Sequence, residues 1–291
     1  MTDQPPPGPL PRQGPGEVPL AGGVGTLTFV GTATTVLRVG GFTLLTDPNF
    51  VRRGERVYLG KGLWSRRRTD PALGPHDLPP LDAVVLSHLH GDHWDRVARA
   101  ELDHDLPVFT TEPAARTLAR RQGFPNAVGM ATWRSEVLRH DGATLRITAM
   151  PGRHARGVMR ALLPPVMGTL LELDRSALPG RPADRPFRLY VTGDTLFVDE
   201  LRTIRELYPQ LDAMVVHLGG TRVLGALVTM DATEGSGLVE LLDPDRVVPV
   251  HYDDYGAFKS GLDAFAAEAT RRGWSDRVTY AARGQTVPLA G

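Results

Sequence analysis

The chain contains no cysteine, so disulfides are excluded and any metal site must use His, Asp or Glu. Lysine is nearly absent, at Lys61 and Lys259 only, and arginine carries almost all of the positive charge. Alongside the high Gly and Pro content this reads first as coding bias, so a single arginine carries less functional weight than usual. Neither sign of charge is in excess. The 33 basic and 33 acidic residues among 291 cancel formally, which gives no global attraction to nucleic acid or to an anionic membrane. No stretch approaches the ~20 apolar residues of a membrane span. The N-terminus lacks a basic start followed by an apolar core, so no signal peptide is expected and the cytoplasm is the default location.

Residues 1–24 are rich in Pro and Gly with few apolar anchors, which predicts a disordered or extended tail. From residue 25 to 291, strand and helix signals interleave without a repeat or a second composition regime. One α/β domain is the simplest reading. Strands are predicted at Thr26–Val30, Thr35–Val39 and Phe42–Thr46, with Gly40-Gly41 as a hairpin turn, and again at Asp82–Leu86. Residues 51–80 read as a long loop bearing Arg52, Arg53, Arg56, Arg66, Arg67 and Arg68. Further strands are expected at Leu145–Met150, Thr169–Leu173, Leu189–Thr192, Ala213–Val216 and Val247–Val250. Helices are expected at Pro113–Arg121, at Val198–Tyr208, and from the capping pair Asp231 and Glu234 through Leu242. A last amphipathic helix runs from Phe258 through Ala269 to Gly273.

The chemistry concentrates in Ser87-His88-Leu89-His90-Gly91-Asp92-His93, just past an apolar strand. Three imidazoles and a carboxylate within six residues suit a divalent transition metal. Asp47, His154, Asp194 and His251 each follow an apolar run in the same way. In layered α/β folds such strand ends can converge on one rim.

The His-x-His-x-Asp-His run, a later His, a Gly-Asp-Thr and a final His after an apolar strand resemble the metallo-β-lactamase superfamily. Thr32-Ala33-Thr34-Thr35 with Leu45-Thr46-Asp47-Pro48 is similar to the branch of ascorbate-6-phosphate lactonase-like proteins and N-acylphosphatidylethanolamine phospholipase D. The resemblance implies a four-layer αββα sandwich and a dinuclear metal centre. His88, His90 and His154 would hold one metal, Asp92, His93 and His251 the other, and Asp194 would bridge them. Asp47 would orient the histidine loop. A metal-bridging hydroxide would attack a phosphodiester or a lactone or ester carbonyl, with Asp92 as the catalytic residue orienting it. Zinc is the first expectation, with manganese or iron as alternatives. The branch often carries His-Met-x-Pro-Glu-Glu, whereas this chain reads Thr229-Met230-Asp231-Ala232-Thr233-Glu234, with Asp231 better placed as a helix cap.

Candidate substrate contacts are His217 at a strand end, Arg66 and Arg67 in the arginine-rich loop, and Met159 in the segment after His154. Arginine matches an anionic group bidentately, while Met159, Leu162 and Leu163 would suit an apolar pocket. His76, His104 and His140 match no motif and read as surface residues. The expected partner is a small molecule, anionic if the arginines contact it. Two other readings remain: a redox or oxygen-using metalloprotein of the same fold, and a non-catalytic metal-binding protein.

Overall fold

The computed structural model describes residues 24–60, 62–140, 142–157, 160, 163–174 and 185–290. The tail expected at 1–24, Val24 apart, and the contact expected at Met159 lie outside the described residues. The chain opens with β1 (Gly25–Gly31), β2 (Thr34–Val39) and β3 (Phe42–Thr46), an antiparallel meander with Gly40 and Gly41 at positive φ in its second turn. A short hairpin follows, β4 (Arg56–Tyr58) and β5 (Trp64–Arg66). Then come β6 (Ala83–Val85), α1 (Arg96–Glu101), β7 (Val108–Thr111), α2 (Glu112–Thr117) and β8 (Ala127–Met130). The second half builds β9 (Ser135–His140), β10 (Ala143–Met150), β11 (Gly168–Leu173), β12 (Phe187–Val191), α3 (Arg202–Leu207) and β13 (Ala213–His217). It closes with the hairpin β14 (Arg222–Val223) and β15 (Ala226–Leu227), then α4 (Ala232–Leu242), β16 (Arg246–Val250), α5 (Leu262–Arg272) and β17 (Thr286–Pro288).

These strands form two mixed sheets. One has seven strands in the order β17-β1-β2-β3-β6-β7-β8, and the other has six in the order β16-β13-β12-β11-β10-β9. The alternation of side chains along each strand explains the layering. In β3 and β6, Leu44, Ala83 and Val85 face the core between the sheets, where they meet Ile147, Leu171, Leu189 and Val215. Their neighbours Leu45 and Val84 face outward and pack with Ala98, Leu118 and Phe124 of the α1–α2 region. Leu238, Val239 and Phe265 of α4 and α5 join the core on the far side of the second sheet. Helix, sheet, sheet and helix stack as the αββα sandwich. Parallel pairing brings the carboxyl ends of β3 and β6 together in one sheet, and those of β12, β13 and β16 in the other.

Four local expectations change. Residues 51–80 hold the β4–β5 hairpin, whose strands bury one residue each, Val57 and Ser65, and are too short to show a period. The helix expected to Arg121 is α2 followed by a wider π turn over Leu118–Gln122, closed by Gly123 in the left-handed region. The helix expected from Val198 begins as a tight 3-10 turn, Asp199–Leu201, before α3. Asp231 caps α4 by accepting from Glu234 N, but Glu234 does not complete a capping box. Its carboxylate accepts from Phe197 N and pairs with Arg156.

Candidate metal centre

Residues that were far apart in sequence meet at one rim. The loop after β6 supplies His88, His90, Asp92 and His93. The chain beyond β10 supplies His154, that beyond β12 supplies Asp194, and that beyond β16 supplies His251. Two groups of converging donor atoms result, His88 with His90 and His154, and Asp92 with His93, Asp194 and His251, each within 4.8 Å. In the first, His88 Nε2 and His154 Nε2 lie 2.8 and 3.2 Å from His90 Nδ1. In the second, His93 Nε2 is 3.2 Å from Asp194 Oδ2, and His251 Nε2 is 3.3 Å from Asp92 Oδ2.

The outer nitrogens say which atoms face inward. His154 Nδ1 lies 2.6 Å from the Val228 carbonyl and His251 Nδ1 lies 2.9 Å from the Leu218 carbonyl. A carbonyl only accepts, so each ring donates from Nδ1 and turns its other nitrogen, Nε2, toward the centre. In the first group three imidazole nitrogens, His88 Nε2, His90 Nδ1 and His154 Nε2, crowd one point. Asp92 Oδ1, His93 Nε2 and Asp194 Oδ1 are buried with no hydrogen-bond partner. Such atoms are costly unless a cation satisfies them, so the donor set fits divalent metal.

Electrostatics agree. Burial pushes the His88 ring well below the ordinary imidazole value, aided by His93 and His90, and it takes His90 to about 4. His154 is lowered by burial against the pull of Asp194. Burial opposes charge on His93 and His251 as well, but Asp194 and Asp92 raise both, joined at His93 by Asp47. Burial likewise opposes charge on Asp92 and Asp194, yet the neighbouring imidazoles hold both carboxyls below the usual range.

Asp47 sits behind the histidines. Its Oδ1 accepts from Ser87 N at 2.7 Å and its Oδ2 accepts from Ser87 Oγ at 3.0 Å. The same Oδ2 is 3.1 Å from His93 Nδ1 and 3.4 Å from His217 Nε2. Burial would raise this carboxyl, but the charge of His93 and hydrogen bonds from both rings lower it to about 2. Asp47, His93 and His217 also converge as a third group of donors, although Asp47 already accepts from Ser87.

A cavity of about 270 Å³ opens above the cluster, with His90, Asp92, His154 and Asp194 in its floor. The two hairpins flank it. Leu59, Gly60 and Leu63 come from the turn of β4–β5, and Val223 and Leu224 from β14–β15. The expected substrate contacts fall elsewhere. His217 is fully buried behind Asp47, where its backbone N–H donates to Thr192 Oγ1 at 2.9 Å. Arg67 is also buried and donates to the Asn49 carbonyl and side chain, with Asp254 3.6 Å away. Arg66 is exposed and does not line the cavity. From the segment after His154, Leu163 reaches the cavity wall. Side-chain direction decides these cases, and a lone His or Arg in sequence does not carry it.

Two supports have no counterpart in the sequence reading. Asn49 Nδ2 donates to the Gly91 carbonyl at 2.8 Å and so holds the histidine loop. Asp95 caps α1 through Ala98 N and accepts from Phe50 N and Val51 N. Asp95 was recognisable as a helix cap. Nothing local marks Asn49.

Residues 43–252 match the family model described as "Beta-lactamase superfamily domain". A protein of Thermococcus onnurineus named as a metal-dependent hydrolase is 25% identical over 194 residues, 67% of this chain and 76% of that one. One of Cupriavidus taiwanensis, named likewise, is 27% identical over 281 residues, 90% of this chain and 88% of that one. Among solved structures, an isothiocyanate hydrolase from Delia radicum gut bacteria superposes with TM-score 0.74 at 21% identity, covering 91% of this chain and 100% of the other. A possible metal-dependent hydrolase from Veillonella parvula gives TM-score 0.73 at 22% identity, covering 90% and 98%. At these identities the two superpositions speak for the shared fold alone.

Proposed function

The chain belongs to the metallo-β-lactamase superfamily, and from that membership we propose a metal-dependent hydrolase with a dinuclear centre. The names of the Thermococcus and Cupriavidus relatives support the hydrolase reading. The observation that carries it is the pair of buried donor groups with inward-facing, unpartnered atoms. His88, His90 and His154 would hold one ion, and Asp92, His93 and His251 the other, with Asp194 between them. Neutral imidazoles with carboxylates suit zinc first, and manganese or iron after it. Divalent ions there would supply Lewis acidity to a carbonyl or phosphoryl oxygen and lower the pKa of water from 15.7 to roughly 7.

The residues divide the remaining work. Thr229 Oγ1 donates to Asp194 Oδ2 at 3.3 Å and fixes that carboxylate's rotation. Asp92 lines the cavity and has its Oδ1 buried and unpaired, and it would orient the attacking water. Asp47 holds His93 from behind so that Nε2 points inward. The bond cleaved is a phosphodiester or a lactone or ester. The opening Thr32-Ala33-Thr34-Thr35 and Asp47 fit the lactonase and phospholipase branch. The Thr229–Glu234 stretch departs from it, so its substrates are not carried over.

Elemental analysis and turnover test the reading together. Protein loaded with zinc or manganese should hold two ions per chain and cleave a 4-nitrophenyl ester or bis(4-nitrophenyl) phosphate. His88→Ala and Asp194→Ala should abolish turnover while far-UV circular dichroism stays unchanged. No metal taken up on titration, or full activity in both variants, overturns it.

A further inference from the structure

We propose that the site acts on an uncharged carbonyl ester or lactone carrying an apolar group, and that the two hairpins hold that group. This rests on the hydrolase reading above. The cavity walls are Leu59, Leu63, Leu163, Val223, Leu224 and Val228, and among the described residues neither lysine nor arginine lines them. Four arginines of the surrounding segments are engaged elsewhere. Arg222 pairs with Asp231, Arg156 with Glu234 and Arg153 with Glu200, while Arg67 is buried against Asn49. Among the described residues a phosphodiester anion would therefore find no guanidinium or ammonium beside the donor groups, and its free oxygens would depend on the ions alone.

The hairpin tips supply the opposite chemistry. Leu224 is 95% exposed and Leu63 43%, and both border the same mouth. Leu224 also holds a positive φ of 50°, a conformation that disfavours a branched side chain. An apolar residue kept exposed at such a position beside a reactive floor is suited to covering a hydrocarbon chain. At about 270 Å³ the cavity is at the small end for ligand sites, so it takes a short chain or one ring. Hydrolysis adds the water oxygen to the acyl carbon and breaks the acyl–oxygen bond. One water proton passes to the leaving alkoxide, giving a carboxylic acid and an alcohol.

The test uses metal-loaded protein with 4-nitrophenyl esters from acetate to octanoate, bis(4-nitrophenyl) phosphate, and calorimetric titration of the matching 2-alkanones, which are not hydrolysed. Ester kcat/KM and ketone affinity should each rise about fourfold per methylene until the cavity fills, with the phosphodiester cleaved more slowly than the longer esters. Leu63→Asp and Leu224→Asp should flatten both series, and the exposure of Leu224 keeps the second variant folded. Flat series, or preference for the phosphodiester, overturn the inference and leave the hydrolase reading standing. Ketone affinity that rises with chain length while neither substrate class is cleaved overturns the hydrolase reading and leaves the apolar pocket standing.

Discussion

Asp47 and His251 share an unusual backbone state, with φ of 38° and 63°. Non-glycine residues in that region are strained, and such strain persists where surroundings enforce it. Here the enforcement is visible: Thr34 Oγ1 donates to the Asp47 carbonyl at 2.7 Å, and His251 N donates to the Thr32 carbonyl at 2.7 Å. The strain aims one side chain at the back of His93 and the other at Asp92. Asp47→Asn keeps the shape but removes the charge that favours the N–H of His93 on Nδ1. Zinc affinity should fall ~10–100-fold, the usual cost of losing a partner behind a ligand, as read by competition with a chelating dye. An unchanged affinity would leave Asp47 a role in folding only. The ligand candidates were legible because each is a polar residue just past an apolar strand. His217 met the same description and points backward instead. The rule locates a strand end but does not tell which way the ring turns.

The β4–β5 hairpin links the arginine-rich segment to the centre. Its backbone lies directly on the histidine loop, where Gly91 N donates to the Tyr58 carbonyl at 2.9 Å. A Cβ on Gly91 would stand 2.9 Å from that carbonyl oxygen, and one on Gly60 would stand 3.0 Å from His90 Nε2. Glycine at the fourth place of His-x-His-Gly-Asp-His is thus explained by a close approach of two backbones. Gly91→Ala should push the hairpin off the loop, costing ~1–3 kcal/mol as overpacking does, in a denaturant midpoint. It should also speed proteolysis within 55–66. Wild-type values for both would mean that the hairpin adapts without loss. The long sheet strands could be read from alternation and apolar runs. The hairpin could not, because strands burying one residue apiece carry no period, and their arginines drew attention to charge. Arg67 in particular acts as a buried strut, its guanidinium on Asn49 and its backbone bridged to Tyr255.

Each sheet contributes part of the centre. The first supplies Asp47 and the loop from His88 to His93, and the second supplies His154, Asp194 and His251. The αββα arrangement therefore brings imidazoles from both sheets into one buried cluster, and this shapes the pH dependence of the metal-free protein. Burial, with the charge of His154, takes His90 from 6.5 to about 4. Between those values the unfolded chain binds the proton and the folded chain does not, so stability falls as pH falls. The loss starts below 6.5 and is complete below about 4. His88, His154 and His217 are lowered too and act in the same direction. His93 and His251, raised by Asp194 and its neighbours against burial, act oppositely: they stabilise the fold in acid, and that share is lost as pH rises through their folded values. The His90 contribution is isolated by comparison with His90→Gln, which cannot titrate. In chelator, wild type should lose stability relative to the variant by up to ~3 kcal/mol between pH 7 and pH 4, measured by urea unfolding at each pH. Added zinc should then stabilise wild type at pH 7.5, by ~2.7 kcal/mol at a hundred times its Kd. That increment should shrink toward pH 5 as the ligands take up protons in competition with metal. Parallel pH profiles for wild type and His90→Gln would show that the ring is as freely protonated in the fold as in the unfolded chain, and that the convergence of the two sheets does not govern it.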